Sequence, residues 1–136
     1  MPMTMRFQFY RLEGHTPVPL ESIAQWAEWF ERADRTVSHN VVNGVEVSTV
    51  FLGLNHGFAH GPPLLFETMI FGGFHDGYQR RCSTWAEAEN LHIEALTLVL
   101  RWKMLPSSAQ QLLLALWWLP ISLIRKAELL KVQMGG

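Results

Sequence analysis

The sequence has little cysteine, little charge and none of the short motifs that mark common catalytic sites. Cys82 is the only cysteine among 136 residues, so no disulfide forms within the chain and a disulfide-stapled secreted scaffold is excluded. A reducing cytoplasm is therefore the expected compartment. No CxxC, HExxH, P-loop, GxGxxG or GxSxG pattern occurs, so cysteine zinc sites, nucleotide-binding loops and nucleophile elbows have no support.

Charged residues make up only 17% of the sequence, whereas hydrophobic residues make up 49%. Soluble domains carry about 25% charged residues, so apolar surface is expected to remain after the core is filled. The net charge of −1 gives no basic footprint for nucleic acid or an anionic membrane. The composition therefore predicts one globular domain with apolar surface available to a partner.

The middle of the chain has the pattern of an antiparallel meander. Two β-rich runs, TVSHNVV and VEVSTVFLGL, flank Asn43-Gly44, the pair typical of a type I′ turn, and they predict a hairpin of continuous register over residues 36–54. Residues 64–71 and 78–83 predict two further strands, the second short and charged.

The N-terminal part is predicted to contribute one short strand. Residues 5–12 alternate apolar and polar side chains, which is typical of a strand with one buried face. Gly14, Pro17 and Pro19 follow and are expected to end it.

Two amphipathic helices are expected to cover the sheet. Over residues 20–35, apolar side chains recur at three- and four-residue spacings and predict one buried stripe, with Trp29 at its edge. The stripe consists of Ile23, Trp26, Ala27, Phe30 and Ala33. Thr84 and Glu87 form a capping box that begins the second helix, which Pro106 ends.

The expected fold class is α+β. It consists of a four- or five-stranded antiparallel meander sheet packed by the two amphipathic helices, plus a C-terminal apolar helical hairpin. Residues 1–104 form the core and residues 105–136 form an extension that packs on the core or on a partner, within a single domain.

Four strings carry a resemblance to known sequences: QWAEWFERADRTV, VSTVFLGLNH, GPPLLFETMIFGG and STWAEAENLH. They resemble a group of small uncharacterised proteins of bacteriophage and prophage genomes, and the likeness covers Tyr10 to His92. The resemblance implies a phage-type protein working in a bacterial cytoplasm. It implies no activity, ligand or catalytic residue.

Loop histidines are the candidates for chemistry. The topology of the meander places His56, His60, Asp34 and Glu87 at the same end of the sheet, beside a helix amino terminus. Two imidazoles and a carboxylate have the chemistry to bind zinc or to carry a proton. The competing interpretation, which we favour, is that the two histidines are solvated loop residues.

Two further polar residues lie on predicted strands. Glu67 is a carboxylate on a strand that is apolar on both faces, so we expect it to be partly buried, either as a general acid or base or in an ion pair with Arg80 or Arg81. His39 lies opposite Ser48 in the predicted register. No acidic third member accompanies this pair, so a cross-strand hydrogen bond is expected rather than a nucleophile.

The C-terminal apolar stretch bears most directly on function, because no charged residue occurs between Lys103 and Arg125. The continuous apolar run over residues 112–119 is far shorter than the roughly 20 residues that a bilayer requires, and Pro120 interrupts it. A helix buried in the fold or in an interface is therefore favoured over a membrane span. The candidate interaction residues are Phe58, Leu113, Leu116, Trp117 and Trp118.

These patterns predict a non-enzymatic, phage- or prophage-type intracellular interaction protein, host- or defence-modulating in role. We expect the chain to bind a protein partner or a second copy of itself. We do not expect it to bind a cofactor, a metal or nucleic acid. Two alternatives remain open. One is a small hydrolase that uses the loop histidines, with or without a metal, and the other is a protein that associates with membranes through its C-terminal apolar helix.

Overall fold

The computed structural model describes residues 8–57 and 60–117. Its architecture is α+β, and the chain separates into two compact units, Met1–Leu100 and Arg101–Gly136. In chain order the elements are β1 (Phe9–Glu13), β2 (Thr16–Leu20), α1 (Ile23–Arg32), β3 (Thr36–Val42), β4 (Val45–Phe51), β5 (Phe66–Phe71), β6 (Gln79–Cys82), α2 (Trp85–Met104) and α3 (Ser107–Trp117).

The predicted meander is confirmed as a four-stranded antiparallel sheet in the order β3-β4-β5-β6. Asn43 and Gly44 both have positive φ, 48° and 80°, as a type I′ turn requires. The expectation of a continuous register is wrong at one place, because the β3–β4 pairing shifts between Thr36 and Ser38. This bulge lies on the edge strand, where bulges increase the local twist and discourage pairing with other chains.

The N-terminal prediction is corrected, because β1 lies within a two-stranded hairpin whose second strand, β2, was not expected, and residues 5–7 of the predicted strand lie outside the described residues. Pro17 and Pro19 lie inside β2 instead of ending the strand. Tyr10, which pairs with Pro19, donates its amide hydrogen to Gly53 O at 2.9 Å, away from β2. Pro19 therefore needs no amide hydrogen to pair with Tyr10, and a proline is tolerated at this position of the edge strand.

The core lies between one face of the meander and α2. Alternate residues of β4 and β5 are buried, and small residues of α2 let the helix approach the sheet closely. Two buried clusters result, one of Val45, Val47, Ile70, Ala95 and Val99 and one of Phe51, Leu65, Phe66, Cys82 and Ala88. On the opposite face Glu67 is partly buried, as expected, with 13% of its side chain exposed, whereas Phe71 at the end of β5 is 44% exposed.

Helix α1 packs through a face rotated from the predicted one. Trp26, Trp29 and Phe30 are partly buried, whereas Ile23 is exposed. Trp29 meets Phe51 edge-on at 5.8 Å between ring centroids, so it joins the core rather than lying at the edge of the stripe. Burial of the aromatic rings is favoured over burial of Ile23 because the rings have the larger apolar area.

Candidate functional site

Four hydrogen-bonded polar side chains cross the interior between the meander and α2. Thr68 Oγ1 lies 2.7 Å from Thr49 Oγ1, Thr49 Oγ1 lies 2.8 Å from His92 Nδ1, and His92 Nε2 lies 2.8 Å from Asn40 Oδ1. The two threonines are fully buried and His92 is 4% exposed. Asn40, at the end of the series, is exposed. This buried polar file (Thr68, Thr49, His92 and Asn40), named for its three buried members, ties β5, β4, α2 and β3 together.

The amide oxygen of Asn40 fixes the direction of every hydrogen bond in the file. This oxygen only accepts, so His92 Nε2 carries the hydrogen and Nδ1 accepts from the Thr49 hydroxyl. Thr49 in turn accepts from Thr68. Burial lowers the pKa of His92, and the charge of His39 lowers it further, so the ring is neutral at neutral pH.

Sequence reasoning missed this site, although the pattern held a signal for it. Thr49 and Thr68 pair across β4 and β5 and point to the inner face of the sheet, where the neighbouring inward residues are apolar. His92 occupies an inward position of α2 between Ala88 and Ala95, at helical spacing. A histidine within such a stripe, with two threonines at inward strand positions, is the signature of a buried hydrogen-bonded group.

A groove of about 330 Å³ leads to His92 from the surface between β3 and α2. It is lined by Val37, Ser38, Glu89, Asn90, His92 and Ile93, and the bulge of β3 forms one wall. Two other grooves, of about 490 and 460 Å³, lie apart from the buried polar file. We give more weight to the 330 Å³ groove because it reaches His92, a member of the buried polar file.

Cys82 lines the 460 Å³ groove, but its environment suppresses thiolate chemistry. Burial, reinforced by the negative charge of Glu87, raises the pKa of the Cys82 thiol to about 11. The thiol therefore stays protonated at neutral pH and is a poor nucleophile.

The carboxylates of the predicted loop-histidine site are both occupied by nearby backbone amides. Asp34 Oδ1 accepts from Thr36 N at 2.9 Å, and this hydrogen bond lowers the pKa of Asp34. Glu87 accepts from the amides that begin α2, whereas His56 and His60 are exposed. Within residues 8–57 and 60–117, no three His, Cys, Asp or Glu side chains are grouped closely enough to hold a metal ion.

The predicted capping box of α2 is confirmed. Thr84 Oγ1 accepts from Glu87 N at 3.2 Å, and Glu87 Oε2 accepts from Ser83 N at 3.1 Å and from Thr84 N at 3.0 Å. These backbone hydrogen bonds lower the pKa of Glu87. The residue proposed for catalysis therefore has a structural role at the start of α2.

We expect Thr84→Ala to lower the free energy of unfolding by about 1 kcal/mol, measured by urea denaturation at pH 7. Glu87→Gln should also destabilise the protein, by an amount that depends on pH. Because folding lowers the pKa of Glu87 from 4.5, its contribution is present above pH 4.5 and is lost as the pH falls below that value. Equal stability of wild type and both variants at pH 7 would show that the box does not hold the helix.

Glu67 and His39 form ion pairs on the open face of the meander. Glu67 Oε2 lies 2.8 Å from Arg81 Nε and also accepts from Gln79, which confirms the predicted pairing with the adjacent strand. His39 is opposite Ser48 as predicted, but its Nε2 lies 2.9 Å from Glu46 Oε1. The expected contact with Ser48 is therefore wrong, because a carboxylate on the neighbouring residue pair is the stronger acceptor.

Helix α3 carries two of the predicted interaction residues. Leu113 and Leu116 are exposed, and so are Leu112 and Leu114; the four range from 40% to 63% exposed. Phe58, Trp118 and the side chain of Trp117 lie outside the described residues, as does the second arm of the predicted hairpin. In the part of the chain that the structure describes, no helix is long and apolar enough to cross a bilayer.

The fold and site thus define an α+β protein with a buried polar file beneath its main helix and an apolar helix in its second compact unit. The sequence matches no protein-family model, no curated protein and no solved structure.

Proposed function

We propose that this chain is a non-enzymatic interaction protein of phage or prophage type, which binds a protein partner through α3. The observation that carries the proposal is the exposure of Leu112, Leu113, Leu114 and Leu116 on one short helix. Contiguous exposed apolar side chains on a globular protein commonly mark a binding surface.

The chemistry of α3 favours an apolar partner. Successive residues of a helix point about 100° apart, so Leu112, Leu113 and Leu114 present apolar groups in three directions. The helix contains no charged residue. Full burial of one leucine side chain contributes about 1.5–3 kcal/mol, so removing two or three leucines from water supplies a large share of a micromolar affinity.

The resemblance of the central strings to phage and prophage proteins supplies the context. A phage protein of this kind acts inside the bacterial host cell, so its partner is a host protein, a defence component or a second copy of the chain. The low proportion of charged residues also supports an interaction surface on α3, because this helix lies within the stretch that has no charged residue.

The double variant Leu112→Gln/Leu116→Gln tests the proposal, since the two side chains lie four residues apart on the same face. We expect it to lose at least about tenfold in affinity, which corresponds to about 1.4 kcal/mol. Self-association is measured by sedimentation velocity, and partner binding by quantitative capture from a bacterial lysate.

Ile93→Gln is the matched control. Ile93 is an exposed apolar residue, 62% accessible, but it lies in the other compact unit. It should bind as wild type does. If the double variant and the control both bind and self-associate like wild type, α3 is not the interaction surface.

The membrane alternative gives a different result in a flotation assay. If α3 binds lipid, the wild-type chain floats with neutral phosphatidylcholine vesicles and Leu116→Glu abolishes flotation. If it binds protein, the wild-type chain stays at the bottom of the gradient.

A further inference from the structure

His92 is the most deeply buried histidine of the described residues, which include all six histidines of the chain. Both of its ring nitrogens are hydrogen-bonded, to Thr49 on β4 and to Asn40 on β3. It therefore joins α2 to two strands at once.

The hydrogen bonds of the buried polar file suit only a neutral ring. A proton added at Nδ1 would convert this nitrogen from an acceptor into a donor. Thr49 would then have to turn its hydroxyl hydrogen towards Thr68, and the Thr68 hydroxyl would lose the acceptor it now uses. Both threonines are fully buried, so water cannot readily replace the lost partner.

The surrounding charges also disfavour an imidazolium. From β3, His39 lies on the open face of the sheet, where its Nε2 contacts Glu46 of β4, and its charge still lowers the pKa of His92. From α2, Glu89 lines the groove that leads to His92, but its charge is not among the causes that shift the pKa of His92. The carboxylates of Glu13, Glu46 and Glu67 contact Arg11, His39 and Arg81, so none of these three carboxylates compensates a charge on His92.

We propose that His92 is an acid-sensitive latch, which holds α2 against the meander while its ring is neutral and releases the helix when the ring is protonated. Release uncovers the apolar inner faces of β4 and β5. This inference is independent of the α3 surface.

The direction of the pH dependence follows from burial. Because folding lowers the pKa of His92 below its ordinary value of 6.5, its stabilising contribution is complete above pH 6.5 and is lost as the pH falls from there towards the lowered value. The carboxylates Asp34 and Glu87 also have lowered pKa values, but they titrate below pH 4.5 and leave the window between pH 5 and 7 to histidine.

The test compares the thermal midpoints of the full chain at pH 7 and pH 5. For wild type we expect the midpoint to fall by roughly 3–6 °C between these values. His92→Gln, which keeps a hydrogen-bonding side chain without a titrating group, should lose this dependence. His56→Gln, which removes an exposed histidine, should retain it.

Asn40→Asp provides a second, independent variant at an exposed position. A carboxylate beside Nε2 stabilises the protonated ring, so the fall in midpoint should shrink or change sign. Hydrogen exchange, corrected for the intrinsic pH effect, should show faster exchange in α2 at pH 5 for wild type but not for Asn40→Asp. A wild-type midpoint that does not fall, a fall that persists in His92→Gln or Asn40→Asp, or unchanged α2 exchange would each overturn the latch.

Discussion

Replacing Phe66 with alanine lowers the free energy of unfolding by about 3–5 kcal/mol. Phe66 is completely buried beneath α2. Its ring centroid lies 5.2 Å from that of Phe51 and 6.2 Å from that of Trp85. Truncation removes both aromatic contacts and leaves a cavity that the rigid sheet cannot close.

Phe71→Ala is the matched control for this prediction, because it truncates the same residue type on the same strand. Phe71 lies on the open face of β5 and is 44% exposed. We expect Phe71→Ala to lower the free energy of unfolding by less than about 1 kcal/mol, because removing a partly exposed side chain leaves no sealed cavity. Urea denaturation of both variants measures the difference, and equal losses would contradict the assignment of the buried face.

Gly53→Ala lowers the free energy of unfolding by about 2–5 kcal/mol, from two effects of similar size. Gly53 has φ of +73°, a conformation that costs a residue with a side chain about 1–2 kcal/mol. A Cβ atom at this position would also lie 2.9 Å from Trp26 Nε1 and 3.3 Å from Phe30 Cδ2. Overpacking of this kind costs about 1–3 kcal/mol.

Gly77→Ala separates the two effects. Gly77 has a similar φ of +82°, but a Cβ atom there would meet nothing within 4 Å. We expect it to show only the conformational cost of about 1–2 kcal/mol. If Gly53→Ala is no more destabilising than Gly77→Ala in urea denaturation, α1 does not pack against residue 53 as described.

The elements with local signals were predictable from sequence. The Asn43-Gly44 turn and the alternation around it define the β3–β4 hairpin, and the Thr84–Glu87 capping box defines the start of α2. Each signal arises between residues that are close in the chain. The fold class followed from them.

Features that depend on distant contacts were not predictable. Strand β2 contains two prolines, and it is tolerated because Tyr10 of its partner strand turns its amide towards Gly53, a residue far along the chain. His92 and Thr49 are 43 residues apart, so their local patterns indicate that each residue is buried but not that the two meet.

The loop-histidine alternative illustrates the opposite case, in which local contacts determine what the side chains do. Both of its carboxylates already accept hydrogen bonds from nearby backbone amides. Asp34 accepts from the amide two residues on, and Glu87 accepts from the amides at the start of its own helix. Such short-range hydrogen bonds are the usual role of Asp and Glu at turns and helix starts.

The most direct test of the proposed α3 surface is site-specific photo-cross-linking in bacterial cells. A benzoylphenylalanine at position 113 replaces an exposed leucine of α3, and the same group at position 93 serves as the control. The account predicts discrete cross-linked products at position 113, with either a cellular protein or a second copy of the chain, and none at position 93. No product at position 113, or the same products at both positions, would contradict it.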